Sequence, residues 1–293
     1  MGESIRAVED NVEATEAWNG PLFDIWIDYR DLISESLTGL SDRAMADHPP
    51  PAGARILDVG CGLGDTTRRL AELAGPEGHA HGVDVAERMI ETAQAEAEEA
   101  GAQNVSFAVQ DVETSKFAQA FDYAFARFGT MFFANPVVAL RNVREALAPG
   151  ALLNSIVWRR KLDNVFMHAA EQVVEEYLDE PEDPEAPRCG PGPFSMANAD
   201  TVTDVLSHAG YEDIRLARRD FPYRIGNDLD HAVEFNMNLG PAAEVLRGWG
   251  SRVDEIRPKI AADLRTALSE FVTDDGAVVA PASTWNVTAR APS

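Results

Sequence analysis

Asp58-Val59-Gly60-Cys61-Gly62-Leu63-Gly64-Asp65 is the stretch on which the fold turns. Upstream lies a short apolar run, Arg55-Ile56-Leu57, that reads as a buried strand. Downstream, Leu70, Leu73 and Ala74 recur at helical spacing until Gly75-Pro76, and Asp65-Thr66-Thr67 is placed to cap that helix. Glycines between a strand and a helix let the backbone turn tightly and come close to a ligand. Their spacing here is Gly60-x-Gly62-x-Gly64. A dinucleotide fingerprint, Gly-x-Gly-x-x-Gly, taken from Gly60 needs glycine at 65, where this chain has Asp. The spacing therefore opposes a nicotinamide-dependent dehydrogenase.

Working outward, His79 to Val85 reads as a second strand, and Met89, Ile90, Ala93, Ala97 and Ala100 mark a helix that Gly101 ends. Val105 to Val109, Phe121 to Phe128 and Ala151 to Trp158 are further strands. Asn135-Pro136 opens a helix with Leu140, Val143 and Leu147 on one face. Strands alternating with helices predict an α/β fold, a doubly wound and mostly parallel sheet covered on both faces. Ligands are then expected at the carboxyl ends of the strands. Ile214 to Ile225 and Ser283 to Ala289 read as two late strands. The division expected is a helical N-terminal cap over 1–50, a sheet domain over 51–227 and 276–293, and a helical insertion over 228–275. Residues 179–193 read as a proline-rich acidic loop.

Composition excludes several classes. The 293 residues carry 49 acidic and 25 basic side chains, a formal charge of −24, and only Lys116, Lys161 and Lys259 are lysines. That balance opposes a long footprint on nucleic acid or an anionic membrane. An acidic, lysine-poor surface suits a salt-rich cytoplasm, where like-charge repulsion is screened; the competing reading is a GC-rich genome that favours arginine codons. No stretch of ~18 apolar residues is present, so no membrane span is expected. Met1-Gly2-Glu3-Ser4 lacks a basic region followed by an apolar run, so no secretory signal is read and a cytoplasmic location is expected. Cys61 and Cys189 are too few for a disulfide framework or a multi-cysteine zinc site, and no His pair has metal-ligand spacing, so no metal is expected. No Gly-x-Ser-x-Gly elbow occurs.

Asp84 ends the second strand, about 20 residues beyond the glycine loop, where a carboxylate can accept both hydroxyls of a ribose. Asp111 follows the third strand and can accept an adenine amino group, with Val112 packing on the ring.

Val59-Gly60-Cys61-Gly62-Leu63-Gly64, Gly82-Val83-Asp84-Val85, Gln110-Asp111-Val112 and Leu147-Ala148-Pro149-Gly150-Ala151-Leu152-Leu153 together resemble the motif series of class I S-adenosylmethionine-dependent methyltransferases. Arg127-Phe128-Gly129-Thr130-Met131-Phe132-Phe133-Ala134-Asn135-Pro136 is similar to the small-molecule branch related to quinone-biosynthesis methyltransferases. The resemblance implies a seven-stranded sheet with its last strand, Ser283 to Ala289, antiparallel to the rest. It implies that Asp58, Gly60, Cys61 and Gly62 face the methionine part of S-adenosylmethionine, that Asp84 and Val85 hold its ribose, and that Asp111 and Val112 hold its adenine. Arg127 would border the sulfonium region. The product would be S-adenosylhomocysteine.

An enzyme of this kind must align a sulfonium methyl with a nucleophile and exclude water; a general base is needed only for an acceptor that must lose a proton. Candidates for the acceptor wall are Phe128, Met131 and Phe132 after the fourth strand, Trp158 and Arg159 at the end of the fifth, Trp18, Trp26 and Tyr29 in the N-terminal cap, and Phe194 and Met196 after the acidic loop. His168, about ten residues past the fifth strand, is the candidate base. The acceptor expected is a small molecule. An RNA methyltransferase and a non-catalytic binder of the cofactor stay open beside it, as does the oligomeric state. The residues after the fourth strand, Ala126-Arg127-Phe128-Gly129, lack the Asn/Asp-Pro-Pro-aromatic turn that base-amino methylation of adenine usually brings.

Overall fold

The computed structural model describes residues 15–117, 120–177 and 191–293. Most of the acidic loop expected over 179–193, with Cys189, lies outside them, as do residues 1–14 of the cap. After a helical turn at 15–19, helix α1 spans Pro21–Asp28 and α2 spans Arg30–Asp47. Then come β1 (Arg55–Val59), α3 (Asp65–Ala74), β2 (His79–Asp84), α4 (Glu87–Glu99), β3 (Val105–Val109) and β4 (Phe121–Arg127). They are followed by α5 (Pro136–Ala146), β5 (Leu147–Trp158), α6 (Val165–Glu175), α7 (Ala199–Ala209) and β6 (Glu212–Gly226). Helices α8 (Leu229–Asn238), α9 (Pro241–Trp249) and α10 (Val253–Leu268) precede β7 (Val278–Arg290).

One seven-stranded sheet has the order β3-β2-β1-β4-β5-β7-β6. Strands β1 to β5 are mutually parallel, and β7 is antiparallel to both its neighbours. Four of the five residues of β1 are buried without alternation, as a strand covered on both faces requires. The strand order reverses beside β1, so the crevice outside its carboxyl end is the expected ligand position.

Three local expectations are corrected. Helix α3 is not capped by Asp65-Thr66-Thr67: Gly64 takes the N-cap in a left-handed conformation, and the Thr66 and Thr67 hydroxyls both donate to Asp58 Oδ2, at 2.7 and 2.6 Å. The fifth strand begins at Leu147 and not at Ala151, so Leu147 belongs to β5 and not to the helix before it. The late strands are longer than expected: β6 gains a residue or two at each end, and β7 begins five residues earlier because Pro281 does not end it. Pro222 and Pro281 pair with one another beyond Trp158↔Thr284, where β5 has already ended, so the missing N–H of Pro281 breaks no ladder on that side. The β6–β7 ribbon therefore overhangs the sheet at its carboxyl edge.

Helix α2 is bound to the sheet by a buried polar chain. Asn286 Nδ2 donates to Asn154 Oδ1 (2.6 Å), Asn154 Nδ2 donates to Ala44 O (3.0 Å) and Tyr123 Oη (2.8 Å), and Tyr123 Oη donates to His48 O (2.7 Å). Residues 229–271 are mainly helical, and Phe235, Leu246, Ile260 and Leu264 join the same buried core as Ile56 and Phe125 of the sheet.

Candidate functional site

The glycine loop lies at the carboxyl end of β1. Gly60, Gly62 and Gly64 have φ of +68°, +53° and +75°, a region that side chains disfavour. A Cβ on Gly60 would stand 2.8 Å from Gly129 Cα, so this loop and the turn after β4 touch backbone to backbone. At Gly62 a Cβ would meet nothing within 4 Å; this glycine faces open space. The Gly62 N–H donates to Asp84 Oδ2 and the Ala86 N–H to Asp84 Oδ1, both at 3.0 Å. Asp84 thus ties the loop to the head of α4, and burial raises its carboxyl against those bonds. Half-buried Val85 follows it.

Asp58 is fully buried. Its Oδ2 holds the two threonines, and its Oδ1 has no hydrogen-bond partner among the described residues. Burial pushes this carboxyl up to about 6, with the Thr67 and Thr66 bonds pulling back. Burial also pushes the Cys61 thiol well up, with Asp84 and Asp58 adding to it, so Cys61 stays neutral and packs as a small apolar group. Asp111 Oδ1 accepts the Glu113 N–H (2.8 Å), and Val112 is buried. Asp84 O accepts the Gln110 N–H (2.8 Å), which sets the β2 and β3 ends side by side.

Arg127 bridges three elements. Its guanidinium pairs with Asp65 at the start of α3 (2.9 Å) and donates to Ser41 Oγ on α2 (3.1 Å). Phe128 then takes φ +62°, uncommon for a bulky residue. Its ring stacks on Trp158 (4.5 Å between centroids, 14°), and Trp158 stacks on Phe221 (6.2 Å, 17°). Tyr223 meets Trp158 edge-on and stacks on Phe166 (5.6 Å, 12°). Met131 is buried, and its sulfur accepts the Trp158 N–H (3.4 Å). Its carbonyl accepts from Gly192 N–H and Ser195 Oγ, which brings the segment carrying Phe194 and Met196 to the same turn.

Phe132 meets Trp18 edge-on (5.5 Å), and Trp18 meets Trp26 (5.8 Å). Tyr29 stands apart from these: it stacks on His231, packs edge-on against Phe235 and accepts from Asn238 Nδ2 (3.0 Å), all on α8. Arg159 stacks over Trp285 and pairs with Asp163. On α6 it is Phe166 that enters the ring cluster. His168 follows two residues later, about 200° around the helix, with Nδ1 buried and lacking a hydrogen-bond partner among the described residues. Phe221, Tyr223, Phe166 and Phe235 were absent from the sequence-based candidates. For the first two a signal existed, since Arg219, Phe221 and Tyr223 alternate onto one face of a strand. No group of three or more metal-ligating side chains occurs among the described residues.

Residues 51–183 match the family described as "Methyltransferase domain". The match makes these residues similar to a methyltransferase domain. Curated relatives accompany this match. The chain is 37% identical over 123 residues, 42% of its length and 56% of that protein's, to aklanonic acid methyltransferase DauC of Streptomyces sp. (strain C5). It is 33% identical over 112 residues, 38% of its length and 46% of that protein's, to demethylmenaquinone methyltransferase of Staphylococcus aureus (strain JH9). The chain thus spans about half the length of these curated relatives. The fold is similar to the YcgJ protein of Bacillus subtilis (TM-score 0.57, 15% identity, 87% of this chain and 99% of that one). It is also similar to a chain of the complex between the Haloferax volcanii Trm112 methyltransferase activator and a methyltransferase (TM-score 0.53, 18% identity, 95% and 98%).

The loop fits S-adenosylmethionine on its own chemistry. Gly62 leaves space where a side chain would stand, Asp58 Oδ1 keeps an unused acceptor, and the Asp84 carboxylate is held against the Gly62 N–H.

Proposed function

We propose that the protein methylates a small, planar, ring-containing acceptor. The observation that carries this reading is the contact between the two halves of the site. The glycine loop touches the Phe128-Gly129 turn backbone to backbone, and Phe128 begins the ring stack that continues through Trp158 to Phe221. Flat rings and an apolar lining suit a ring acceptor, and the two curated relatives are named for aklanonic acid and demethylmenaquinone.

When bound, the cofactor supplies an electrophilic methyl group on a sulfonium. Asp58, Gly60 and Gly62 would hold its methionine part, Asp84 and Val85 the ribose, and Asp111 and Val112 the adenine. Arg127, neutralised by Asp65, stiffens the joint between α2, α3 and the β4 turn and brings no net charge to the sulfonium side. The ring stack orients the acceptor and keeps water out, and alignment of this kind is the main part of the catalysis required.

Titration calorimetry tests the cofactor half. S-adenosylhomocysteine should bind with micromolar affinity and NAD not at all. Asp84→Ala should weaken S-adenosylhomocysteine ~10–100-fold, the range expected for charge-assisted bonds. Unchanged affinity would remove Asp84 from the site. Methyl transfer from S-adenosylmethionine to hydroxynaphthoquinones, with none to RNA, tests the acceptor class; methylation of RNA alone would overturn it.

A further inference from the structure

Residues 15–28 pack on the glycine loop and on the head of α4. Phe23 is buried with Leu63 of the glycine loop and with Ala86 and Met89 at the head of α4, and Trp18, Trp26 and Ile27 pack around them. This cluster is separate from the main core. Leu63 lies next to Gly62, and Ala86 is two residues after Asp84, so the segment covers the two groups assigned to the methionine and ribose. Trp18 continues across to Phe132 on the acceptor side.

The two ends of the segment are held differently. Beyond α1, Tyr29 is packed on α8, and α2 is fixed to the sheet through Ser41, Ala44 and His48. At the near end, beside the apolar contacts of Phe23 and Trp18, the polar contacts to α4 among the described residues all come from Arg88. Its guanidinium lies 3.9 Å over the Phe23 ring, pairs with Asp24 (2.8 Å) and donates to Asn19 O (3.3 Å), and its backbone N–H donates to Asn19 Oδ1 (3.4 Å). Both charged partners are solvent-exposed, at 41% and 63%. Such contacts are individually weak and can be broken and remade.

We propose that Arg88 is a positioning residue that latches residues 15–28 as a cover over the cofactor pocket, and that cofactor exchange requires release of this latch. The proposal rests on the S-adenosylmethionine pocket described above. Closure by an apolar segment keeps water from the reacting centre, and a latch of exposed contacts lets the cover open each turnover. The hinge is Tyr29, between α1 and α2.

Stopped-flow fluorescence of the full chain with S-adenosylhomocysteine tests it, since Trp18 and Trp26 lie in the cover. Arg88→Ala should speed association and release together, each about tenfold, as expected for loss of a few exposed contacts, with the dissociation constant changed less than about threefold. Arg88→Lys keeps the charge but not the fork and should fall between the two. Arg43→Ala removes an ion pair with Asp47 on α2, away from the cover, and should change nothing. Hydrogen exchange should rise in residues 15–28 of Arg88→Ala and stay unchanged in β1 to β5. Wild-type exchange rates in Arg88→Ala would overturn the latch. So would a rise in release alone, matched by an equal loss of affinity, because Arg88 would then support the ligand and not the cover. Failure of the wild type to bind S-adenosylhomocysteine would instead overturn the pocket assignment.

Discussion

Gly60 and Gly62 stand two residues apart and answer to different demands. Gly60 has the β4 turn against it, so Gly60→Ala combines a backbone clash with left-handed strain and should cost about 3 kcal/mol or more. Gly62→Ala meets no protein atom and should cost only about 1–2 kcal/mol of backbone strain. Its methyl would stand in the cofactor space, so S-adenosylhomocysteine affinity should fall more than stability. Melting curves beside calorimetry on the two variants separate these roles. Asp58 carries a pH signature. Its folded pKa, about 6, lies above the ordinary 3.8, so the protonated form is favoured in the folded chain. The stabilising contribution is complete below about 3.8 and is lost as pH rises through about 6. Asp58→Asn, always neutral, should therefore gain stability relative to wild type as pH rises, by up to about 3 kcal/mol at pH 8 without cofactor. Denaturant unfolding of both proteins at acid and alkaline pH measures it; a difference that does not change with pH would show that Asp58 is not held neutral by burial.

At the scale of elements, the carboxyl edge of the sheet is where the structure departs most from the sequence reading. Strands β6 and β7 overhang β5 and deliver Phe221 and Tyr223 to Trp158, which extends the ring cluster. The N-terminal region divides into two parts with different attachments. Helix α2 is a fixed part of the body, held by buried polar bonds, whereas residues 15–28 rest on a small cluster and on Arg88. Tyr123→Phe tests the first attachment. It removes the donor to His48 O and an acceptor for Asn154, and should cost about 1–3 kcal/mol of global stability in urea unfolding. A neutral result would assign the binding of α2 to its apolar face alone.

At the scale of the whole molecule, the charge of −24 is only partly paired. Single carboxylates serve two arginines, as Glu96 does for Arg30 and Arg68, and Arg69 in turn bridges Asp42 and Glu72. The remaining acidic surplus repels itself in dilute buffer. At about 1 M salt the Debye length is ~3 Å and the repulsion is screened. The melting temperature should rise strongly between dilute buffer and molar potassium chloride. A flat response would leave codon composition as the reason for the acidic, lysine-poor surface.

The glycine loop and the strand-end carboxylates were legible in the sequence because they are local features. Gly60, Gly62, Asp84 and Asp111 sit at strand ends, where the chain order of strands and helices alone dictates their neighbourhood. The roles of Thr66 and Thr67 were not legible, since a threonine at a helix start reads as a cap until the buried Asp58 is seen beneath it. The acceptor wall was legible only in part. Phe128, Met131 and Trp158 follow parallel strands directly, but Phe221 and Tyr223 depend on the register of an antiparallel ribbon that passes through two prolines. Tyr29 and His168 show the converse. Each is a reasonable candidate by position, yet Tyr29 is turned to α8 and His168 leaves α6 away from Phe166. Composition and local motifs determined the fold class, the place of the glycine loop and the absence of a long apolar span. Which aromatic rings meet, and what holds residues 15–28 over the pocket, was decided by tertiary packing, because those contacts join segments far apart in sequence and local periodicity carries no information about them.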